Sequence, residues 1–435
     1  MLVTDMKPRR SSERGAVVIQ VSIFLLVLMM FSAFVIDYGI MWVARGQAQT
    51  AAGAAALAAQ QSLAFDNTHD LPKFQAIAQQ VGNSNWVWGQ SPDIRLTDVT
   101  FPPCPPTPGW PADPNCVRVS VLRNQARGNP LPTFFANLTG VGSQGVQATA
   151  TARAVAANAS NCLKPWAVGD KWFDTQPGGW SETATYVPAA GDYYVPPTAN
   201  DPGTGFTEHD ASGNPTYYGY QMVLKLSNPG NGANQIPINS AGWASELCLD
   251  STAPGGPCST PSYDANITSC TTDVVAISPP GYTCTVVDPS HGCLGVKTGS
   301  SGNNNATSVA NFIAAHDPSA TWTDGSGPNG WQTGHINSTQ SPSSRIVPVG
   351  IFDVPEYLAA GYTGSNGIVR IVNIVGFFLE GTCQTVATRE SYLQCPGHGN
   401  DKAAIVGRLV SYPALVSPTG GTVTGSFGTI LALVR

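Results

Sequence analysis

One unbroken apolar run near the start constrains this chain more than any other feature. From Ala16 to Ile36 no residue is charged, and Gln20, Ser22 and Ser32 are the polar interruptions. About 20 helical residues, rising 1.5 Å each, cross a bilayer core of roughly 30 Å. The run is therefore expected to be a transmembrane helix over 16–36. A cleavable export signal has a shorter apolar region, about 7–15 residues, and a small-residue cleavage site, whereas this run leads into Asp37, Tyr38 and Gly39. Lys7, Arg9, Arg10 and Arg14 precede it and the next basic residue is Arg45. That bias keeps residues 1–15 in the cytoplasm and sends residue 37 onward across the membrane. Ala16 and Ile36 bound the anchor. Tyr38 and Trp42 sit where interfacial aromatics hold a helix end, and Asp37 falls at the edge of the apolar core, either as a solvated carboxylate or as a contact to a partner.

The helix does not stop at the membrane. "ARGQAQTAAGAAALAAQQSLA" contains no proline and is nearly half alanine, the strongest helix former, so a helical extension is expected over 37–64. Small residues on every face bury little area alone but permit close approach of a neighbour. Ala48, Ala52 and Ala55 are candidate packing positions, against the chain's own downstream sheet or against another protein.

Beyond residue 64 the reading is α+β. "PKFQAIAQQVG" at 72–82 places Phe74, Ile77, Ala78 and Val81 at helical spacing before a glycine. "CVRVSVLR" at 116–123 and "GVQATATARAV" at 145–155 alternate as half-buried strands, with "DIRLTDVTF" at 93–101 as a third. "NPLPTFFANLTG" reads as a short helix opened by Pro132. Residues 65–157 thus form a small α+β unit. From 158 to 435, glycine, proline, serine, asparagine and threonine are broken by short β-branched bursts at 220–226, 345–352, 367–381, 403–410 and 428–435, the pattern of a loop-rich, β-rich domain. Arg370 and Asn373 interrupt the burst at 367–381, which makes it a buried strand and not a second span.

Composition agrees with export. Ten cysteines, Cys104, Cys116, Cys162, Cys248, Cys258, Cys270, Cys284, Cys293, Cys383 and Cys395, all follow the apolar run. None forms the close CxxC pair that zinc knuckles use, so disulfides in an oxidising compartment are expected. A Cys104–Cys116 bridge would staple the proline-rich loop between them, and the other pairings stay open. Charged residues are 11% of the chain and the net charge is −6. No cluster of lysine or arginine follows residue 14, which excludes a nucleic-acid footprint.

Catalytic patterns are missing. The chain has no G-x-S-x-G elbow, no H-E-x-x-H and no P-loop. Asp201, Glu208 and Asp210 share a glycine-rich loop, but their spacing fits no EF-hand. The expectation is a non-enzymatic protein without a metal or other cofactor.

The first 64 residues resemble the N-terminal segment of TadG-like proteins of the tight-adherence (Tad, or Flp) pilus-assembly family. The matching features are Arg14-Gly15, the apolar helix, Asp37 at its exit, and "QTAAGAAALAAQ" at 49–60, where Gly53 replaces a usual aspartate. "PLPTFFANLTGVGSQGVQATATARAV", "NCLKPWAVGDKW" and "RIVPVGIFDVPEYL" extend the likeness. The resemblance implies a bacterial inner-membrane protein with a periplasmic bulk, which assembles or anchors a pilus or its secretion machinery. Its partners would be other assembly proteins, met through the N-terminal helix and the periplasmic part, with a second copy of the chain also a candidate. Some relatives carry a von Willebrand A domain; "DGSGPNG" at 324–330 resembles the start of its metal motif, but Gly327 replaces the second serine. Pilin-like members are cut after a glycine and carry glutamate at the fifth mature position. Counting from Ala16 after Gly15, the fifth residue is Gln20, which favours a permanent anchor over a processed subunit. A hydrolase whose motif is not recognisable is the remaining alternative.

Overall fold

A computed structural model describes residues 13–65, 70–104, 116–181, 184–198, 200–210, 216–227, 243–249, 260–270, 273–297, 302–359, 367–386, 404–421, 423 and 426–434. The proline-rich loop after Cys104, together with Cys258 and Cys395, lies outside them. The chain divides into two compact units. The first comprises Met1–Gln60, Leu71–Arg153 and Leu433–Arg435, and the second comprises Gln61–Asp70 and Ala154–Ala432.

In the first unit a single helix, α1, runs over Glu13–Phe65, and α2 covers Leu71–Ser84. No glycine or proline stands between Gly15 and Asp37, and alanine dominates beyond Arg45, so nothing in the sequence breaks the helix. Strands β1 (Val99–Thr100), β2 (Val117–Arg123), β3 (Leu131–Pro132), β4 (Ser143–Gln144) and β5 (Val146–Ala156) follow. β1, β2 and β5 pair antiparallel, with Val99 opposite Val119 and Val119 opposite Ala150. The period-2 pattern lands as expected: Val117, Val119 and Val121 are buried, as are Ala148, Ala150 and Ala152. The Cys104–Cys116 disulfide closes its loop beside β2.

Two expectations differ in detail. "DIRLTDVTF" is extended only at its end, because the Asp98 carboxylate accepts the Arg95 N–H at 2.9 Å and pairs with Arg127 at 2.6 Å, turning Leu96–Asp98 into one 3-10 turn. "NPLPTFFANLTG" is not a helix opened by Pro132. Pro132 belongs to β3, and a single 3-10 turn follows at Ala136–Thr139, closed by Gly140 at φ +89°.

The second unit holds β6 (Ala159–Ser160), β7 (Trp166–Gly169), β8 (Gln221–Ser227), β9 (Trp243–Cys248), β10 (Val275–Ala276), β11 (Cys293–Val296), β12 (Thr321–Thr323), β13 (His335–Asn337), β14 (Ile346–Phe352), β15 (Ile368–Thr382), β16 (Ile405–Val410), β17 (Tyr412–Pro413) and the part of β18 (Gly428–Val434) up to Ala432, with helices α3 (Thr260–Thr268), α4 (Gly302–Ala315) and α5 (Val354–Ala359). Strands β15, β14, β7, β9, β8 and β16 pair in that order, and β16 pairs back onto β15, so the sheet closes on itself. β11 bridges β9 and β15. Closure removes the unpaired edges that a glycine-rich open sheet would expose.

β15 is the burst at 367–381 and is buried along nearly all of its length. A strand covered on both faces reads as a continuous apolar run without alternation. Its two polar interruptions are satisfied inside: Arg370 pairs with Asp353 at 3.2 Å and Glu356 at 3.0 Å, and Asn373 donates to the Phe206 carbonyl. Trp166, Met222, Leu247, Ile351, Phe377 and Leu409 belong to one core, to which α3 and α4 add Tyr263, Ile267, Val309 and Phe312. Disulfides join Cys162 to Cys270 and Cys284 to Cys293. Cys248 and Cys383 are also disulfide-bonded, and no cysteine among the described residues is free.

Candidate functional site at the exit of the long helix

The long helix changes character along its length. Side chains from Val17 to Phe31 are exposed on every side. From Ala33 a buried stripe begins and runs through Ile40, Ala44, Ala48, Ala51, Ala52, Ala55, Ala56 and Ala59. Steps of three and four residues keep these positions on one face. Ala48, Ala52 and Ala55, named from sequence as packing positions, are fully buried by the chain itself. On α2, Gly82 faces the stripe: a Cβ there would come within 3.0 Å of the Ala55 Cβ and closer still to the Ile94 Cδ1. Alanine against glycine lets the two helices approach more closely than larger side chains would allow.

Glutamines flank the stripe and tie the helix down. The Gln60 Oε1 accepts the Val117 N–H at 3.0 Å, Gln49 Nε2 donates to the Thr149 carbonyl at 3.2 Å, and Gln47 Oε1 accepts the Trp88 N–H at 2.7 Å. Sequence reasoning passed over these three. Their amides recur at the edges of an alanine stripe, which is the signal that could have found them. Gly53 also gains a reason: a Cβ there would lie 3.3 Å from Leu433 Cδ1, so a carboxylate in its place would be set against a leucine.

Asp37 occupies the boundary between the bare and the packed halves. It is not a lone solvated carboxylate, and its contacts lie within its own chain. Asp37 Oδ1 accepts the N–H of Phe134 at 2.9 Å, while Oδ2 accepts those of Phe135 at 3.0 Å and Ala136 at 2.7 Å. Three consecutive amides converge on one carboxylate and start the 3-10 turn. Charge-assisted bonds of this kind are shorter and stronger than neutral ones.

Tyr38 stacks on Phe34 with ring centroids 6.0 Å apart, and Tyr38 and Trp42 are both exposed. They line a groove of about 680 Å³ with Met41, Arg45, Gln49 and residues 145–149. A second groove of about 840 Å³ runs along the helix from Leu26 to Met41 and is closed on its other side by Phe135, Ala136 and Gln144. Gly15 and Gln20 lie on the exposed part of α1, which continues through both without interruption.

The second unit brings together a different set of residues. Trp180, Tyr217, Tyr220 and Trp331 wall an aromatic cleft of about 500 Å³. Below it, burial pushes the Asp170 carboxyl up to about 6, although the Phe206 amide and the Tyr194 hydroxyl both donate to it. Burial also raises Glu208 to about 8, where the Ser411 hydroxyl donates to it, and lowers the Lys164 ammonium to about 8. Asp201 is spent on a turn, accepting the Gly203 N–H at 2.9 Å, and Asp324 accepts the Trp322 indole N–H at 2.8 Å. Among the described residues no three of His, Cys, Asp and Glu come together as metal ligands would.

Residues 15–61 match the family described as putative Flp pilus-assembly TadE/G-like, and residues 43–152 match the family described as putative Tad-like Flp pilus-assembly. The two matches overlap on the alanine helix and together cover the long helix, Asp37, α2, the β1–β2–β5 sheet and the loop that Asp37 holds. No curated protein and no solved structure matches the chain. Through residues 15–152, therefore, the chain carries two Flp pilus-assembly family segments, TadE/G-like over 15–61 and Tad-like over 43–152.

Proposed function

We propose that the protein is a non-enzymatic anchor in Flp pilus assembly, fixed in the inner membrane by residues 16–36, with its N-terminus cytoplasmic and its disulfide-tied bulk periplasmic. One observation carries this reading. α1 is a single helix whose first half is bare and apolar, long enough to cross a membrane, and whose second half is fastened into the folded unit. A fold that is tied to the span by alanine packing, glutamine amides and Asp37 is held at a set height above the lipid. The basic residues before the run and the cysteines after it support the orientation. The lack of a P-loop, a nucleophile elbow and an H-E-x-x-H pair in the sequence supports a binding role over catalysis. Its partners would be other proteins of the same assembly system.

A bare apolar rod is also what a polymerising subunit needs, since its helix must pack against others once it leaves lipid. Gln20 weighs against that alternative, because the pilin-like members that this chain resembles carry a glutamate at that position. Intact mass of the protein extracted from its own membranes under non-reducing conditions decides between them. A full-length chain, lighter by about two hydrogens per disulfide, is expected. A product beginning at Ala16 would replace the anchor with the subunit.

A further inference from the structure

We propose that the loop carrying Phe134 and Phe135 is a second membrane contact, lying in the outer boundary of the bilayer beside the exit of α1, with lipid filling the groove between loop and helix. The inference rests on the anchor reading and adds a membrane element that is distant in sequence from the span.

The loop exposes apolar side chains where a soluble surface would not concentrate them: Phe134 is 59% exposed, Phe135 39% and Val141 43%. No Asp, Glu, Lys, Arg or His occurs between Arg127 and Arg153. The position of the patch is set by Asp37, whose three amide contacts hold it at the end of the apolar run. The groove behind it reaches down the helix as far as Leu26, eleven positions before Asp37, or about 16 Å of helix at 1.5 Å per residue. Its helical wall, which includes Leu26, Met30, Ala33 and Phe34, belongs to the span itself. Whatever surrounds the span therefore also reaches Phe135. Ala33, only 8% exposed among fully bare neighbours, marks where the folded unit begins to cover the span.

The backbone of the loop suits that depth. Non-helical chain near hydrocarbon is tolerated only when its polar groups are satisfied internally. Here Asp37 takes the N–H groups of Phe134, Phe135 and Ala136, while Thr133 N–H donates to Gly142 at 3.4 Å, Gly140 N–H to Asn137 at 3.1 Å and Val141 N–H to Ala136 at 3.0 Å. Tyr38 and Trp42 stand exposed at the same end of the span, as interfacial aromatics do. A carboxylate at a helix exit thereby converts an ordinary loop into one that can enter the interface.

The test uses the full-length chain in vesicles of phosphatidylethanolamine and phosphatidylglycerol. A trifluoromethyl-phenylalanine replaces Phe134, Phe34 in the span, or Phe173 on the exposed surface of the second unit, one at a time. Fluorine line broadening is read with a doxyl-labelled lipid and, separately, with a water-soluble nickel chelate. The expected result is lipid-driven broadening at 134 severalfold above that at 173 and similar to that at 34. If 134 behaves like 173 while 34 is broadened by lipid, the loop is in water: this proposal fails and the anchor reading stands. If 34 is not broadened by lipid, both fail. Shielding of 134 from both agents would mean that a second copy or another protein fills the groove, which overturns the lipid assignment. Asp37→Ala should move the 134 signal toward the aqueous agent and leave 34 unchanged; an unmoved signal would show that Asp37 does not hold the loop at the interface.

Discussion

The carboxylate at position 37 meets three amides that lie 97, 98 and 99 residues further along the chain. Nothing local at Asp37 announces that contact, because a charged residue at a membrane edge has a sufficient reason to be there already. Removing it should free the loop without unfolding the sheet. In Asp37→Ala the amides of Phe134, Phe135 and Ala136 are expected to exchange with solvent faster than in the parent chain, while the β2 amide of Val119 is unchanged. Asp37→Asn, with one acceptor oxygen, should fall between them. Unchanged exchange at all three would remove the clamp from the account.

Glu208 makes a prediction of opposite character. Its folded value is raised by burial from 4.5 to about 8, so the fold favours the protonated acid. The stability it lends is full below pH 4.5 and is lost as pH rises through about 8, at roughly 1.4 kcal/mol per pH unit at most. Asp170 adds a similar loss between 3.8 and about 6, and Lys164, lowered to about 8, acts only above that. The thermal midpoint should therefore fall as pH rises from 4.5 to about 8, and Glu208→Gln should flatten most of that fall. A Glu208→Gln profile parallel to the parent's would show that the carboxyl ionises at its ordinary value.

Among elements, α1 has two halves with different rules. In its packed half, space is the constraint. Ala52→Leu or Gly82→Leu should cost about 1–3 kcal/mol by overpacking, seen as a lower thermal midpoint of the full-length chain in detergent. Gly46 has open space around it, and Gly46→Ala should instead stabilise by up to about 1 kcal/mol through helix propensity. Equal effects at buried and open positions would mean that the stripe is not packed. These substitutions read the fold of the first unit, so a loss of piliation on adding leucines to the stripe would not by itself report contact with another protein.

The elements themselves were largely legible. The long helix, α2, β2, β5 and the five bursts all carry their own periodicity or apolar density, and each forms where that signal lies. Two stretches were misread for one reason: a side-chain carboxylate took over the backbone amides. Asp98, paired with Arg127, bends "DIRLTDVTF", and Asp37 captures the amides after Pro132 and leaves a single turn where a helix was expected. The candidate site was half legible. Asp37, Tyr38, Trp42 and the alanines were named from sequence, but Gln47, Gln49, Gln60 and the Phe134 loop were not, since their roles exist only across distances of tens of residues.

For the whole molecule, disulfides stand in where loops are long and charges few. The Cys162–Cys270 bridge spans 108 residues, against 9 for Cys284–Cys293. In the chain-entropy account, closing a loop of about 100 residues contributes about 4.7 kcal/mol, and a short loop less. Replacing Cys162 and Cys270 by serine is expected to lower the denaturant midpoint of the second unit clearly more than replacing Cys284 and Cys293. The reverse order would mean that native-state distortion or residual structure outweighs loop length.

The sequence by itself determined the long apolar helix, the disulfide-bonded state of the chain beyond it and the α+β class, because hydropathy, cysteine spacing and periodicity are properties of neighbouring residues. Closure of the second unit's sheet, the use of the alanine stripe within the chain, the pairing of Cys162 with Cys270 and the docking of the Phe134 loop onto Asp37 were decided by tertiary structure. Each joins residues far apart in the chain, and such contacts are chosen by which surfaces the folded chain brings within reach.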